Sequence, residues 1–95
     1  MSDFEETIRR LQSEKGVSGI IVVDVAGRVI HTTMDNDATQ LHAAFLQQLT
    51  EKTKTTIREL DSSNDLTFLR LRTKKNEIMI APDKDNVILV VKDLS

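Results

Sequence analysis

Two short apolar runs, Ile20-Ile21-Val22-Val23 and Val87-Ile88-Leu89-Val90-Val91, constrain the fold of this chain more than any other feature. Each is too short for a helix and rich in branched side chains, so each reads as a strand. Successive strand side chains point to opposite faces. Val22 and Val23 therefore need cover on different sides, as do Leu89 and Val90. Strands of that kind belong side by side in the middle of a sheet whose two faces are both covered.

The rest of the chain supplies the cover and the edges. Ser2 and Glu5 have capping-box spacing, Phe4, Ile8 and Leu11 make one apolar stripe, and Gly16 stands where a helix ends. A turn at 24–27 returns the chain as a polar strand over 28–33, making a hairpin. Asp37 with Gln40 offers a second cap, opening a helix that reaches about Leu60. Its apolar positions are Ala38, Leu41, Ala44, Phe45, Leu49, Ile57 and Leu60, with a polar gap at Lys52, Thr53, Thr55 and Thr56. Two readings of that gap stand: a wet subunit contact or plain solvent exposure. Strands over 65–72, 77–81 and 87–92 follow, linked by short turns into an antiparallel meander.

The order α-β-β-α-β-β-β predicts a single domain over 1–95 of the α+β class. It is an α/β sandwich with a five-stranded, mostly antiparallel sheet in the order 2-1-5-4-3. A helix of about 23 residues is ~35 Å long at 1.5 Å per residue, enough to cross four strand spacings of ~4.8 Å and join the two edges. Of those edges, 28–33 is short and polar. The other, 66–72, is apolar on both faces yet carries arginines. Leu66, Phe68, Arg70 and Arg72 point one way, and Thr67, Leu69 and Leu71 the other. An exposed edge of that kind invites pairing, and antiparallel pairing of two copies around Phe68 and Leu69 would give a two-fold dimer with one continuous sheet. The first helix offers only Phe4, Ile8 and Leu11 to its face, so a partner protein is expected to complete it.

The segment from Asn64 to Asp85 resembles the roadblock/LC7 family, which includes the roadblock-type light chains of dynein. Gly16-Val17, Gly19-Ile20-Ile21-Val22-Val23 and Thr33-Met34-Asp35-Asn36 support the likeness, which runs from Phe4 to Lys92. The resemblance implies a profilin-like fold and a homodimer paired through its third strand and second helix. That places Leu66, Thr67, Phe68, Leu69, Arg70 and Leu71 at the interface with Leu41, Phe45, Leu49, Lys52, Thr53 and Thr56. Phe4, Ile8 and Leu11 are then candidates for contact with a partner. The implied partners are the dynein intermediate chain and other dynein light chains, in the cargo-binding tail of the microtubule motor. The implied location is the cytoplasm and cytoskeleton, with a ciliary or flagellar axoneme left open. Wider relatives are platforms for small GTPases, the alternative role. The family carries no catalytic residues and no cofactor.

The composition agrees with a binding role. With 95 residues and a net charge of −2, no global field draws the chain to nucleic acid or to an anionic membrane. Absence of cysteine excludes thiol chemistry and zinc–thiolate sites. The acidic start lacks a signal-peptide pattern, no apolar run approaches the ~20 residues of a span, and the end lacks a prenylation cysteine. His31 and His42 sit on different elements, short of the three or four converging ligands that a metal needs. In Asp35-Asn36-Asp37 a calcium loop would place Gln40 and Leu46 where Gly and Glu are required, so capping explains it better. Gly16-Val17-Ser18-Gly19 has no following Gly-Lys-Ser/Thr, so it is no phosphate loop. Asp83 and Asp85 read as turn residues. Arg70, Arg72, Lys74 and Lys75 form the one basic cluster. Without Tyr or Trp to stack bases, they are expected to pair with Glu77, Asp83 or a partner's carboxylates.

Overall fold

The computed structural model describes residues 3–83 and 85–94, and the side chains of residues 3, 4 and 83 lie outside that description. The elements are α1 (Asp3–Ser13), β1 (Val17–Asp24), β2 (Val29–Thr32), α2 (Asn36–Leu60), β3 (Leu69–Arg72), β4 (Asn76–Asp83) and β5 (Asn86–Asp93). They form one five-stranded sheet in the order β2-β1-β5-β4-β3, and all four strand pairs are antiparallel. This is the architecture that the two apolar runs demand. β1 and β5 pair in the centre, with Ile21 opposite Leu89 and Val22 opposite Ile88.

The alternation along these strands splits the core in two. Ile21, Val23, Leu89 and Val91 join Ile80 and Leu46 beneath α2. Ile20, Val22, Ile88 and Val90 join Ile8 beneath α1. Gly19 is buried in β1, where the Met34 side chain occupies the space a Cβ would need. Gly27 closes the β1–β2 turn at φ +84°, a conformation that costs a residue with a Cβ roughly 1–2 kcal/mol.

Three local expectations are corrected. The N-cap of α2 is Asp35, not Asp37: its backbone is extended and its Oδ1 accepts the Ala38 N–H at 2.8 Å. Asp37 instead stands in the first turn, where a carboxylate favours the positive end of the helix. The third strand is shorter than 65–72. Continuing the register of Leu69 opposite Ile80 would set Thr67 against Pro82, which has no N–H to give the ladder. Residues 65–68 therefore approach β3 without pairing.

The third correction concerns the face of α2. The residues buried against the sheet are Thr39, Leu46 and Thr50, with Ala43 partly buried between them. The larger apolar side chains read as the helix stripe lie on its flank: Leu41 is 58% exposed and Phe45 61%. Ser2, the proposed first cap, and the Phe4 side chain lie outside the described residues.

Candidate interaction surface

α2 leaves β2 at one edge of the sheet and delivers the chain to β3 at the other. Its axis therefore lies over the middle of the sheet, and the side toward β3 is left partly uncovered. Leu41, His42, Phe45, Leu46 and Leu49 form one wall of a groove there, and Leu71, Ile78, Ile80 and Leu89 form its floor. The groove measures about 250 Å³, and its lining is almost wholly apolar. His42 is the polar member. Its Nδ1 lies 2.7 Å from the Ala38 carbonyl, which turns the rest of the ring toward the groove's apolar lining.

The groove borders an open strand edge. β3 pairs only with β4, so its outer N–H and C=O groups have no partner among the described residues. Leu69 and Leu71 stand opposite Ile80 and Ile78, on the α2 side. Arg70 and Arg72 stand opposite Met79 and Glu77, on the α1 side. Glu77 is buried, with its side chain 8% exposed, and receives Arg72 Nη2 at 3.3 Å and Arg70 Nε at 3.6 Å. Two guanidinium groups thus share one carboxylate, which satisfies a charge that would otherwise be costly to bury. The Arg70 guanidinium also sits 5.8 Å from the centre of the Phe68 ring. Arg70 and Arg72 thus make the expected pairing with Glu77 within the edge itself, while Lys74 and Lys75 lie exposed in the turn that follows β3.

The structure brings Leu41, Phe45, Leu49 and Leu71 into the groove. Leu66, Thr67 and Phe68 lie on the unpaired approach to β3, with Phe68 49% exposed. Farther along α2, Lys52 is exposed, while the Thr53 and Thr56 hydroxyls donate to the Leu49 and Lys52 carbonyls at 2.7 and 2.8 Å. Those bonds satisfy two of the three threonine hydroxyls in the polar gap of the stripe. On the other side of the sheet Ile8 is 4% exposed and Leu11 packs partly buried against the same cluster, so of these two candidates for partner contact only Leu11 reaches the surface. Sequence reasoning missed His42, Leu46, Ile78 and Ile80 as groove residues. Leu46 and His42 were legible as neighbours of Phe45 and Leu49 on the helix, but the contribution of β4 needed the register.

Among the described residues no group of three or more His, Cys, Asp or Glu side chains could hold a metal. No helix is long and apolar enough to cross a membrane. Among the described residues, the two carboxylates with clear shifts are structural. Asp24 is held below its ordinary 3.8 by the Arg28 backbone N–H, against a smaller cost of burial, with further help from the Arg28 side chain and the Ala26 N–H. Asp61 is lowered by the Ser63 hydroxyl and then its N–H.

An open strand edge beside an apolar groove is a surface suited to contact with another protein. The profile of the Roadblock/LC7 domain family matches residues 3–93, and the chain belongs to that family. Its structure is similar to a Roadblock/LC7 domain from Streptomyces avermitilis, with a TM-score of 0.79 and 12% identity, covering 87% of this chain and 71% of that one. It is also similar to MglB of Myxococcus xanthus, with a TM-score of 0.70 and 19% identity, covering 88% and 70% of the two chains. At such identities the likeness is one of fold. Members of the family are generally non-catalytic adaptors or regulators, and roadblock domains commonly dimerise and bind partner proteins.

Proposed function

We propose that this chain is a non-catalytic dimerising adaptor that serves as an accessory light chain of the dynein motor. Two copies pair β3 against β3 and fill each other's groove with Leu41 and Phe45 of α2. The observation that carries this reading is the coincidence of the unpaired β3 edge with the apolar groove beside it. Pairing satisfies the strand's backbone groups, and the same contact removes the flank of α2 from water. The composite surface then clamps a segment of the dynein intermediate chain and so helps assemble the cargo-binding tail on microtubules. Dimerising a flexible partner raises the effective concentration of its other weak contacts. The sequence resemblance from Phe4 to Lys92 supports the choice of partner.

A second reading is favoured by one observation: the two solved structures named above are bacterial, and bacteria have no dynein. In that reading the same dimer is a scaffold that binds or regulates a small GTPase. Affinity purification from the native cell separates the two. Co-purification of the intermediate chain with other dynein light chains is expected. Recovery of a GTPase without motor subunits would overturn the dynein assignment and leave the dimer intact.

A further inference from the structure

The chain has two histidines and no cysteine, so its imidazoles are the side chains of a type that titrates near neutral pH. They serve opposite sides of the sheet. His31 stands opposite Val22 and so faces the α1 side. Its Nε2 is buried without a hydrogen-bond partner, so a proton there would bear on the fold of the single chain. His42 is instead the polar member of the groove beside β3. Its hydrogen bond fixes the tautomer. A carbonyl oxygen only accepts, so Nδ1, 2.7 Å from the Ala38 oxygen, carries the proton of the neutral ring. Nε2 is then a bare acceptor on the part of the ring turned toward the groove, and a second proton has nowhere else to go.

We propose that His42 is a proton switch on the pairing of two copies, and that protonation of its Nε2 separates them. The inference rests on the proposed pairing through the groove and adds its control. In the single chain the groove is open and His42 is partly exposed, so water can solvate an imidazolium. Once a second copy fills the groove, the same charge is buried among apolar side chains, which is costly without a partner. No carboxylate is placed to offset that cost. The groove lining drawn from α2, β3, β4 and β5 holds no charged side chain among the described residues. Arg70, Arg72 and Glu77 pair with one another on the opposite face, where Lys92 of β5 also stands opposite Glu77. On α2 the charged residues nearest in sequence are Asp37 and Glu51, and neither lines the groove. Glu51 belongs to a separate pocket of about 140 Å³ on the other flank of the helix, with Asp24, Leu46 and Thr50. From the second copy, the one charge expected at the interface is Lys52 of the partner subunit, and a cation opposes the imidazolium further. The dimer therefore binds fewer protons than two separate copies, and its stability rises with pH.

The test is sedimentation equilibrium of the full chain at about pH 8 and about pH 5.5, on either side of the imidazole range, at one ionic strength. Circular dichroism at both values follows the fold. Each copy takes up one proton on separation, so log Kd should rise by up to about two for each unit fall in pH. Pairing should be at least tenfold weaker at the lower pH, reversibly and with an unchanged spectrum. His42→Leu and His42→Gln should each pair as tightly at the lower pH as at the higher, while His31→Gln should keep the dependence of the parent. A parent dimer equally tight at both values would overturn the switch and leave the pairing intact. A parent monomeric at the higher pH would overturn the pairing itself, and the switch with it. Weakening that persists in both His42 variants, or that vanishes in His31→Gln, would assign the effect elsewhere and overturn the proposal. So would loss of pairing at both pH values in both His42 variants, which would make His42 a plain contact, or loss of the parent's folded spectrum at the lower pH.

Discussion

The two flanks of α2 rest on the same sheet and differ in what they leave unfinished. Toward β3 and β4 the flank is apolar and open, with Leu41 and Phe45 more than half exposed above Leu71, Ile78 and Ile80. Toward the β1–β2 turn it is polar and tight. There Gln47 packs so closely on Gly27 that an added Cβ would stand 2.6 Å from its Oε1. The first flank exposes hydrophobic area and suits a large apolar partner, while the second is closed over one buried hydroxyl, that of Thr50, which has no hydrogen-bond partner. Leu46 lines both pockets and is 3% exposed, so it is the partition between them.

Breaking that partition is expected to have the largest effect. Leu46→Ala removes a fully packed side chain with cavities on either side. It should cost about 2–5 kcal/mol by urea denaturation, near the range of buried Leu→Ala changes. A cost below about 1 kcal/mol would show that the two flanks can collapse together and are not distinct. Thr50→Val sharpens the polar side and should act in the opposite direction. Replacing a buried, unpaired hydroxyl by a methyl group of similar shape should stabilise the fold by roughly 1 kcal/mol, because the desolvation cost of the orphan group is removed. Destabilisation would mean that the hydroxyl has a partner.

The smallest effect is on the acid stability of the fold. Asp24, beside the polar pocket, and Asp61, at the end of α2, both have folded values held below 3.8. Their contribution is present above 3.8 and is lost as pH falls through the depressed folded values. Acid should therefore loosen the β1–β2 turn and the α2 C-cap first. Asp61 is exposed and Asp24 is only partly buried, so the change in midpoint should be slight. Asp24→Asn should reduce this acid sensitivity, and an unchanged acid midpoint would exclude Asp24 as a contributor.

Much of the fold was legible because two runs, 20–23 and 87–91, have no placement other than the centre of a covered sheet. The strand order and the crossing by α2 follow from them and from helix length. Hydrophobicity misled where size and burial diverge. The apolar stripe of α2 did not mark the face that the sheet takes: the smaller Thr39, Ala43 and Thr50 lie there beside Leu46, with Leu49 only partly buried against the same core. A helix crossing a twisted sheet closely favours small side chains at the contact, and the bulky ones move to the flank. The length of β3 was misjudged because its limit lies in the partner strand, at Pro82. The open edge was visible from composition. The groove was not, since its floor is made by Leu71, Ile78, Ile80 and Leu89 from three strands, whose facing depends on register.

The central claim is that the apolar flank is the face on which two copies meet. Sedimentation equilibrium of the parent chain and of Phe45→Asp tests it most directly. Phe45 is 61% exposed, so aspartate there should leave the single chain folded. At a paired interface, the same change buries an unpartnered carboxylate. The parent should sediment at twice the 10.7 kDa of one chain, and Phe45→Asp at the mass of one chain with an unchanged circular dichroism spectrum. A monomeric parent, or a Phe45→Asp variant that dimerises as tightly as the parent, would contradict the account.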